Sequence, residues 1–309
     1  MKNAILICNP NAGTPGHRLA ARVRDAAAVL RKEGIEATVV FTSGMGDARE
    51  LACKAVGAGR QLIIACGGDG TINEIINGMG STRVPLAILP AGTANIAGKE
   101  LGLPGSIHQA ARELPRWAPC RIPLGRATWG RPEAPQQRYF LAVAGIGFDA
   151  RIISQLDMAA KLRLGVIAYA WEALRQIFEY DFPRFQCAVN GRKVSSTFAV
   201  VQRSLRYAGW LRLAHATGLR QSQLACCLFS SRRRSRYFIY ALAILTRTHH
   251  RLPDVCLLQG QPVVCTDEGS NTSTFFEVDG ELAGQLPVSF EVVPDALTVL
   301  APRRFLSFP

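Results

Sequence analysis

The chain has 309 residues, of which 48% are hydrophobic, and this composition suffices for one large or two ordinary packed domains. No apolar run approaches the roughly 18 residues of a bilayer-spanning helix, so we do not expect an integral membrane protein. Nine cysteines without paired metal spacing, and an N-terminal apolar run too short for a signal peptide, favour a cytoplasmic protein.

The formal net charge of +13 is concentrated in one part of the chain. Residues 182–253 contain thirteen Arg or Lys residues and no acidic residue, whereas the other 23 basic residues are balanced by 23 acidic ones. This asymmetry indicates an anionic partner, either a membrane surface or a nucleic acid. A membrane is favoured, because no nucleic-acid-binding module is recognisable.

The first part of the chain alternates apolar strands with helices. Strands are predicted at residues 2–8, 37–41, 62–66 and 85–89, and each is followed by a turn of small and polar residues. The turns are Asn9-Pro10-Asn11-Ala12-Gly13, Thr42-Ser43-Gly44-Met45-Gly46, Gly67-Gly68-Asp69-Gly70-Thr71 and Pro90-Ala91-Gly92-Thr93-Ala94-Asn95. Asp47 is predicted to cap the helix after the second turn. Because parallel strands bring such turns to one edge of a sheet, we expect a ligand site there.

The turn after the third strand predicts a phosphate site. Gly67, Gly68 and Gly70 allow a close backbone approach to a ligand, and a helix beginning near Thr71 directs amide hydrogens at an anion. Asp69 would repel phosphates unless a metal or a hydroxyl lay between them, which indicates Mg²⁺-nucleotide chemistry. The alternative is an ordinary strand-to-helix turn.

After residue 119 the pattern is typical of antiparallel strands. Asn190-Gly191 and Asp279-Gly280 predict hairpin turns. The strands predicted around these turns are 185–189 with 193–201, and 274–278 with 286–292. Helices are predicted at 150–180, with a break near Gly165, and at 233–248. A last strand at 296–300 is expected to return to the first domain. The predicted domains are therefore residues 1–122 with 295–309, and residues 123–294.

Taken together, these motifs resemble the diacylglycerol kinase catalytic-domain family, which includes bacterial lipid kinases and sphingosine kinases and is distantly related to NAD kinases. The resemblance rests on the first, third and fourth turns above and on two later segments. These are Gly145-Ile146-Gly147-Phe148-Asp149 and Val278-Asp279-Gly280-Glu281. It implies an α/β nucleotide-binding domain and a β-sandwich lipid-binding domain, with the active site in the cleft between them. It also implies phosphorylation of a membrane-lipid hydroxyl, diacylglycerol-like or sphingoid-like, by ATP.

The resemblance assigns roles to individual residues. Asp279 would take the proton from the lipid hydroxyl, while Asp69 and Glu281 would hold Mg²⁺ directly or through water. The nucleotide-binding residues would be Asn9, Asn11, Gly13, Thr42, Gly67, Gly68, Asp69, Gly70, Thr71, Glu74, Gly92, Thr93 and Asn95.

The sequence departs from the family pattern at three places. Ile96 stands where an Asp is common, and Lys99 where an Arg is common. Arg220-Gln221-Ser222-Gln223-Leu224 replaces an acidic segment that often binds a structural metal, so we expect no Mg²⁺ there. A non-catalytic nucleotide- or lipid-binding regulator, and a NAD kinase-like phosphotransferase, therefore remain alternatives.

A basic cluster precedes an apolar stretch inside the acid-free region. Arg232, Arg233, Arg234 and Arg236 stand directly before residues 237–246, which are too few to cross a bilayer. We expect this segment, with Tyr237 and Phe238, to lie on the anionic inner face of the membrane reversibly. A buried core helix is the alternative. The sequence predicts no oligomeric state.

Overall fold

The computed structural model describes residues 3–13, 16–157, 166–207, 211–213, 218–269 and 273–307. The chain forms two compact units, residues 1–124 with 294–309, and residues 125–293. Two long strands, β5 (Ala118–Arg131) and β16 (Val288–Ala301), pass from one unit into the other.

The first unit is an α/β domain. Its parallel strands stand in the order β2-β1-β3-β4, and Val299 of β16 pairs in parallel with Leu86. The strands are β1 (Ala4–Cys8), β2 (Ala37–Phe41), β3 (Leu62–Gly67) and β4 (Leu86–Pro90). The helices are α1 (Gly16–Lys32), α2 (Asp47–Gly57), α3 (Asp69–Met79), α4 (Ile96–Glu100) and α5 (Ile107–Glu113). A 3₁₀ turn at Leu114–Arg116 follows α5, and α9 (Arg303–Ser307) follows β16.

Continuous apolar strands explain why this sheet is buried. Every residue of β1, β3 and β4 is buried, as expected for parallel strands that are covered on both faces. On α1, Leu19, Val23 and Leu30 fall at helical spacing and are buried in the same core as the strands. This packing holds the loops at the strand ends on a rigid base.

The second unit is an antiparallel β-sandwich. One sheet has the order β12-β11-β10-β7-β14-β15, and the other contains β16, β13, β8 and β9 with β5 pairing β6. Its further strands are β6 (Ala134–Phe140), β7 (Val143–Gly147), β8 (Phe185–Val189), β9 (Arg192–Ser196), β10 (Phe198–Gln202), β11 (Leu224–Phe229), β12 (Val255–Gly260), β13 (Val263–Asp267), β14 (Phe275–Val278) and β15 (Glu281–Gln285). Phe276 and Phe290 meet edge to face between the sheets, with ring centroids 5.8 Å apart. The predicted fold class, an α/β domain with a β-sandwich, is confirmed.

Both predicted hairpin turns form. Asn190 and Gly191 have φ of 49° and 79°, and Asp279 and Gly280 have φ of 49° and 84°. Left-handed conformations at two successive residues are the requirement of a type I′ turn. The predicted partner strand 286–292 was wrong, because Asp279-Gly280 connects β14 to β15. β15 is a partly exposed edge strand without an apolar run, and the sequence pattern therefore missed it.

Three helices of the second unit lie within its described residues. They are α6 (Phe148–Gln155), α7 (Val166–Glu179) and α8 (Arg234–Leu245), and a 3₁₀ turn at His249–Arg251 follows α8. The predicted break near Gly165 lies outside the described residues. Within the part of the chain that the structure describes, no helix has the length and hydropathy needed to cross a membrane.

Candidate active site

Four loops follow the carboxyl ends of the parallel strands in the first unit. β1 lies between β2 and β3, so the order of the strands reverses at the β1–β3 pair. Open α/β sheets bind their ligands outside the strand ends at such a reversal. The backbone N–H of Asn9 donates to the Cys66 carbonyl (3.0 Å), which joins the loop after β1 to the end of β3. The predicted loops therefore meet at the predicted edge.

Glycines bring these loops together backbone to backbone. A methyl group added at Gly92 would lie 2.5 Å from Gly68 Cα, and one added at Gly13 would overlap the carbonyl oxygen of Ala91. Gly13 also has φ of +66°, a conformation that side chains other than glycine rarely adopt. The loops after β1, β3 and β4 therefore form one surface of main-chain groups.

Side-chain amides fix the shapes of these loops. Asn9 donates through Nδ2 to Thr71 Oγ1 (3.2 Å), and its Oδ1 accepts from the Asn11 N–H (2.9 Å). Asn95, at φ of 47°, accepts from the Gly92 N–H (2.9 Å) and donates to the Gly92 carbonyl (2.6 Å). These predicted nucleotide-binding residues thus shape the loops. Thr93 is exposed at the tip of the fourth loop.

Asp69 is the first residue of α3. The helix starts two residues before the predicted Thr71, because Gly68 is extended and serves as its N-cap. One carboxylate oxygen of Asp69 accepts from the Ala97 N–H of α4 (3.3 Å). The positive end of the helix dipole favours a carboxylate here, and it equally favours a phosphate placed before Gly70 and Thr71.

Glu74 binds the start of α2, and its predicted contact with nucleotide stays a prediction. Its carboxylate accepts hydrogen bonds from the N–H groups of Gly46 (3.0 Å) and Ala48 (3.2 Å) at the start of α2. The predicted cap, Asp47, is instead the first helical residue and accepts from the Ser43 N–H (2.7 Å). Glu74 therefore holds the loop that follows Thr42. Sequence spacing did not reveal this contact, because 28 residues separate Glu74 from Gly46.

Asp279 lies at the β14–β15 turn of the second unit. Its carboxylate accepts from the N–H groups of Leu141 (2.7 Å), Ala142 (2.9 Å) and Val143 (3.0 Å). An ionised carboxylate has about four lone-pair sites, and these three donors fix the orientation of Asp279. The arrangement is suited to a positioned general base.

A buried cation acts on Asp279. Arg203 is almost fully buried and donates through Nη2 to the carbonyls of Leu219 and Gln221 (both 3.0 Å). Its Nε and Nη1 have no hydrogen-bond partner within the described residues. Burial lowers the pKa of Arg203 to about 10, and the charge of Asp279 opposes that shift. The sequence did not predict Arg203 as a site residue, because nothing in the local pattern marks an arginine as buried.

Two buried carboxylic acids lie close to the turn. Asp149 accepts from the hydroxyls of Tyr169 and Tyr207, and Glu277 accepts from the Gly280 N–H (2.6 Å). Burial raises the pKa of Asp149, and the two tyrosine hydroxyls oppose the rise. Burial, and then the charge of Asp149, raise the pKa of Glu277 well above its usual range. Asp149 ends the Gly145–Asp149 motif, whereas the apolar strand pattern around Glu277 gives no sign of a site residue.

The predicted metal ligands have unequal suitability for Mg²⁺. Glu281 forms an ion pair with Arg138, whereas Asp69 stands among main-chain groups suited to phosphates. Among the described residues, no group of three or more His, Cys, Asp or Glu side chains could hold a metal ion. Mg²⁺ in nucleotide sites usually binds one or two carboxylates together with phosphates and water. Asp69 could serve as such a carboxylate ligand. Glu281 would first have to break its ion pair with Arg138.

The predicted lipid-surface residues divide into two groups. Arg232, Arg233, Arg234 and Phe238 are exposed. Tyr237 is buried, stacks on Phe182 with ring centroids 4.0 Å apart, and shares a hydrogen bond with Thr197 Oγ1 (2.9 Å).

Arg236 pairs with Asp254 through two nitrogens, one of them Nε at 2.8 Å. The prediction that Tyr237 faces lipid was wrong, because its buried side chain points to the α8 face that packs on the sandwich. The apolar run alone does not specify that face. Arg236 is partly exposed, and its contact with lipid stays a prediction.

Comparison with known proteins identifies the family. The pattern of the diacylglycerol kinase catalytic domain matches residues 3–127, and that of the YegS C-terminal NAD kinase beta sandwich-like domain matches residues 142–301. The chain belongs to the diacylglycerol kinase catalytic-domain family. The second match covers about half of the chain and coincides with the sandwich.

Individual relatives extend over nearly the whole chain. A diacylglycerol kinase of Mycobacterium tuberculosis is 28% identical over 301 residues, covering 94% of this chain and 93% of that protein. A diacylglycerol kinase structure from Bacillus anthracis has a TM-score of 0.73 at 22% identity, with 98% of both chains covered. Yeast NADH kinase complexed with NADH has a TM-score of 0.57 at 9% identity, covering 97% of this chain and 83% of that one. These two structural likenesses concern the fold alone.

Proposed function

We propose that the protein transfers the γ-phosphate of ATP to a hydroxyl group of a membrane lipid, diacylglycerol-like or sphingoid-like. The observation that carries the proposal is the surface of main-chain groups formed by the loops of Gly13, Gly68 and Gly92 beside the start of α3. Such a surface binds phosphates without hindrance from side chains. Membership of a family whose relatives are named diacylglycerol kinase supports lipid as the acceptor.

In this proposal the protein contributes one proton acceptor and the positioning of the reacting groups. The lipid oxygen attacks the γ-phosphorus, the bond to the β-phosphate oxygen breaks, and Asp279 accepts the hydroxyl proton. Phosphoryl transfer depends mainly on positioning and on neutralising charge, and the amide cradle of Asp279 provides the positioning of the base. Mg²⁺ held by Asp69, when bound, would neutralise charge on the transferred group.

A phosphorylation assay tests the proposal. The protein is incubated with ATP labelled in the γ-position, Mg²⁺ and an extracted lipid mixture, and the products are separated by solvent extraction. We expect label in the lipid phase for the native chain and little for Asp279→Asn. If the protein binds ATP but transfers no label to the lipid, the proposal is wrong.

A non-catalytic regulator is the second candidate, and one observation favours it. Ile96, the first residue of α4, supplies no carboxylate where family members often carry one. Nucleotide and lipid binding without transfer of label would support this function. Transfer of label to NAD instead of lipid would indicate the NAD kinase-like alternative.

A further inference from the structure

Helix α7 exposes large apolar side chains and buries two polar ones. Trp171 is 70% exposed, Ile167 69% and Phe178 57%, whereas Glu172 is only 6% exposed and Gln176 is fully buried. Gln176 donates to Glu172 Oε1 (2.7 Å), so the buried polar side chains satisfy each other. Surface helices normally turn their apolar stripe toward the core. The exposed apolar side chains of α7 therefore indicate that this face has a partner.

Helix α8 continues this apolar face. Phe178 of α7 contacts Phe238 of α8, with ring centroids 6.0 Å apart. Helical spacing places Leu242 and Leu245 on the same side of α8 as Phe238, and both are more than half exposed. We call this surface the apolar ridge. It consists of Ile167, Trp171, Leu174, Phe178, Phe238, Leu242 and Leu245.

Exposed cations lie at both ends of α8. Arg232, Arg233 and Arg234 are exposed directly before and at the start of α8, and Arg247 and Arg251 are exposed after its end. On α7, Glu179 carries negative charge but is paired with Arg175 (3.0 Å). The surface therefore combines large apolar side chains with positive charges at both ends of α8 that form no ion pair with another described residue.

We propose that the apolar ridge docks the protein on the surface of an anionic lipid bilayer, a role that rests on the proposed function for its lipid substrate. Exposed aromatic and aliphatic groups would enter the headgroup–acyl boundary while the arginines contact anionic headgroups. α7 has 14 residues and α8 has 12, so both lie on the bilayer and neither spans it. A second copy of the chain fits less well, because two copies joined at the ridge would bring like-charged arginine clusters together.

The ridge differs from the surface expected from the sequence. Tyr237 is directed into the protein and Arg236 pairs with Asp254, and α7 contributes four exposed apolar residues to the ridge. The membrane contact is thus made by two helices of one unit.

Vesicle co-sedimentation tests the ridge. The probes are vesicles of phosphatidylcholine alone and of phosphatidylcholine with an equal part of phosphatidylglycerol, at low and high salt. Trp171→Gln with Leu242→Gln removes apolar groups, and its control is Leu257→Gln, an exposed leucine on β12. Arg232→Gln, Arg233→Gln and Arg234→Gln remove three charges together. The matched control is Arg184→Gln, Arg192→Gln and Lys193→Gln, which removes the same charge elsewhere in the unit.

The expected results separate the two contributions. We expect the native chain to bind anionic vesicles more tightly than neutral ones, and salt to weaken that binding. The apolar double variant should lose about tenfold or more in partitioning at every salt concentration, since each buried CH₂ contributes to the partitioning. The triple arginine variant should lose about a hundredfold on anionic vesicles, at roughly fivefold for each cation, and little on neutral ones. Both controls should bind like the native chain.

Three outcomes would overturn the docking role. In the first, the apolar double variant binds vesicles as tightly as the native chain. In the second, the controls lose as much vesicle binding as the ridge variants. In the third, the protein forms a dimer that the ridge variants dissociate, and no variant binds vesicles. A short-chain, water-soluble lipid analogue separates this proposal from the kinase function. Phosphorylation of the analogue by all ridge variants alongside lost vesicle binding supports both proposals. Failure to phosphorylate it despite ridge-dependent vesicle binding rejects only the kinase function.

Discussion

The buried carboxylate of Glu277 accepts a hydrogen bond from the backbone N–H of Gly280 at 2.6 Å, closing the turn that presents Asp279. The donor, Gly280, is the second of the two left-handed residues of the turn, and Asp279 is the first. A titratable group thereby supports the position of the proposed general base from inside the sandwich.

The raised pKa of Glu277 predicts a stability that falls with increasing pH. The folded state holds the proton more tightly than the unfolded chain, in which a glutamate has its usual pKa of about 4.3. The stabilisation is complete below that value and is lost as pH rises through the raised pKa. Glu277→Gln keeps an acceptor for Gly280 but does not titrate, so its thermal unfolding should depend less on pH than that of the native chain. If the unfolding temperatures of the native chain and of Glu277→Gln changed equally between pH 5 and pH 9, this account would be wrong.

Asp279→Asn should lower kcat by about 10² to 10⁴, because a positioned general base contributes that much to a rate. Nucleotide affinity, measured by titration calorimetry, should remain unchanged. Since the new amide group must face the N–H donors of Leu141 or Ala142, a thermal melt should accompany the assay. Asp295→Asn is the matched control, as Asp295 is an exposed aspartate at φ of 46°. A variant with more than half of the native kcat would exclude Asp279 as the base.

Gly68→Ala should weaken binding of Mg²⁺-ATP about tenfold or more without unfolding the protein. The new methyl carbon would lie 3.6 Å from Gly92 Cα, an ordinary contact, and Gly68 has φ of −86°. Any loss would therefore come from the approach of the phosphates. Gly57→Ala, whose methyl group meets nothing within 4 Å, is the control. Calorimetry that gives equal nucleotide affinities for both variants would place the phosphates elsewhere.

Glu74→Ala should reduce the free energy of unfolding by about 1 to 3 kcal/mol, because two backbone donors at the start of α2 lose a charged acceptor. Glu50→Ala on the same helix removes only an exposed ion pair with Lys54 and should cost about 1 kcal/mol or less. Urea unfolding measures both changes. Similar costs for the two variants would show that Glu74 does not hold this loop.

The sequence by itself predicted the four parallel strands β1 to β4, the loops that follow them and both hairpin turns. These features are local. Gly13 and the Asp279-Gly280 pair occupy conformations that few other residues accept, and a continuous apolar run such as β3 is stable only when buried on both faces. The resemblance based on the same motifs predicted the family.

The tertiary structure decided where individual side chains point. Glu74 binds amides 28 residues away, Arg236 binds Asp254, and Tyr237 enters the core although its neighbour Phe238 is exposed. The apolar composition of α8 does not specify which face packs against the sandwich, and α7 reverses the usual rule by burying Glu172. The packing of an element depends on the surfaces that meet it, and chain segments distant in sequence provide those surfaces.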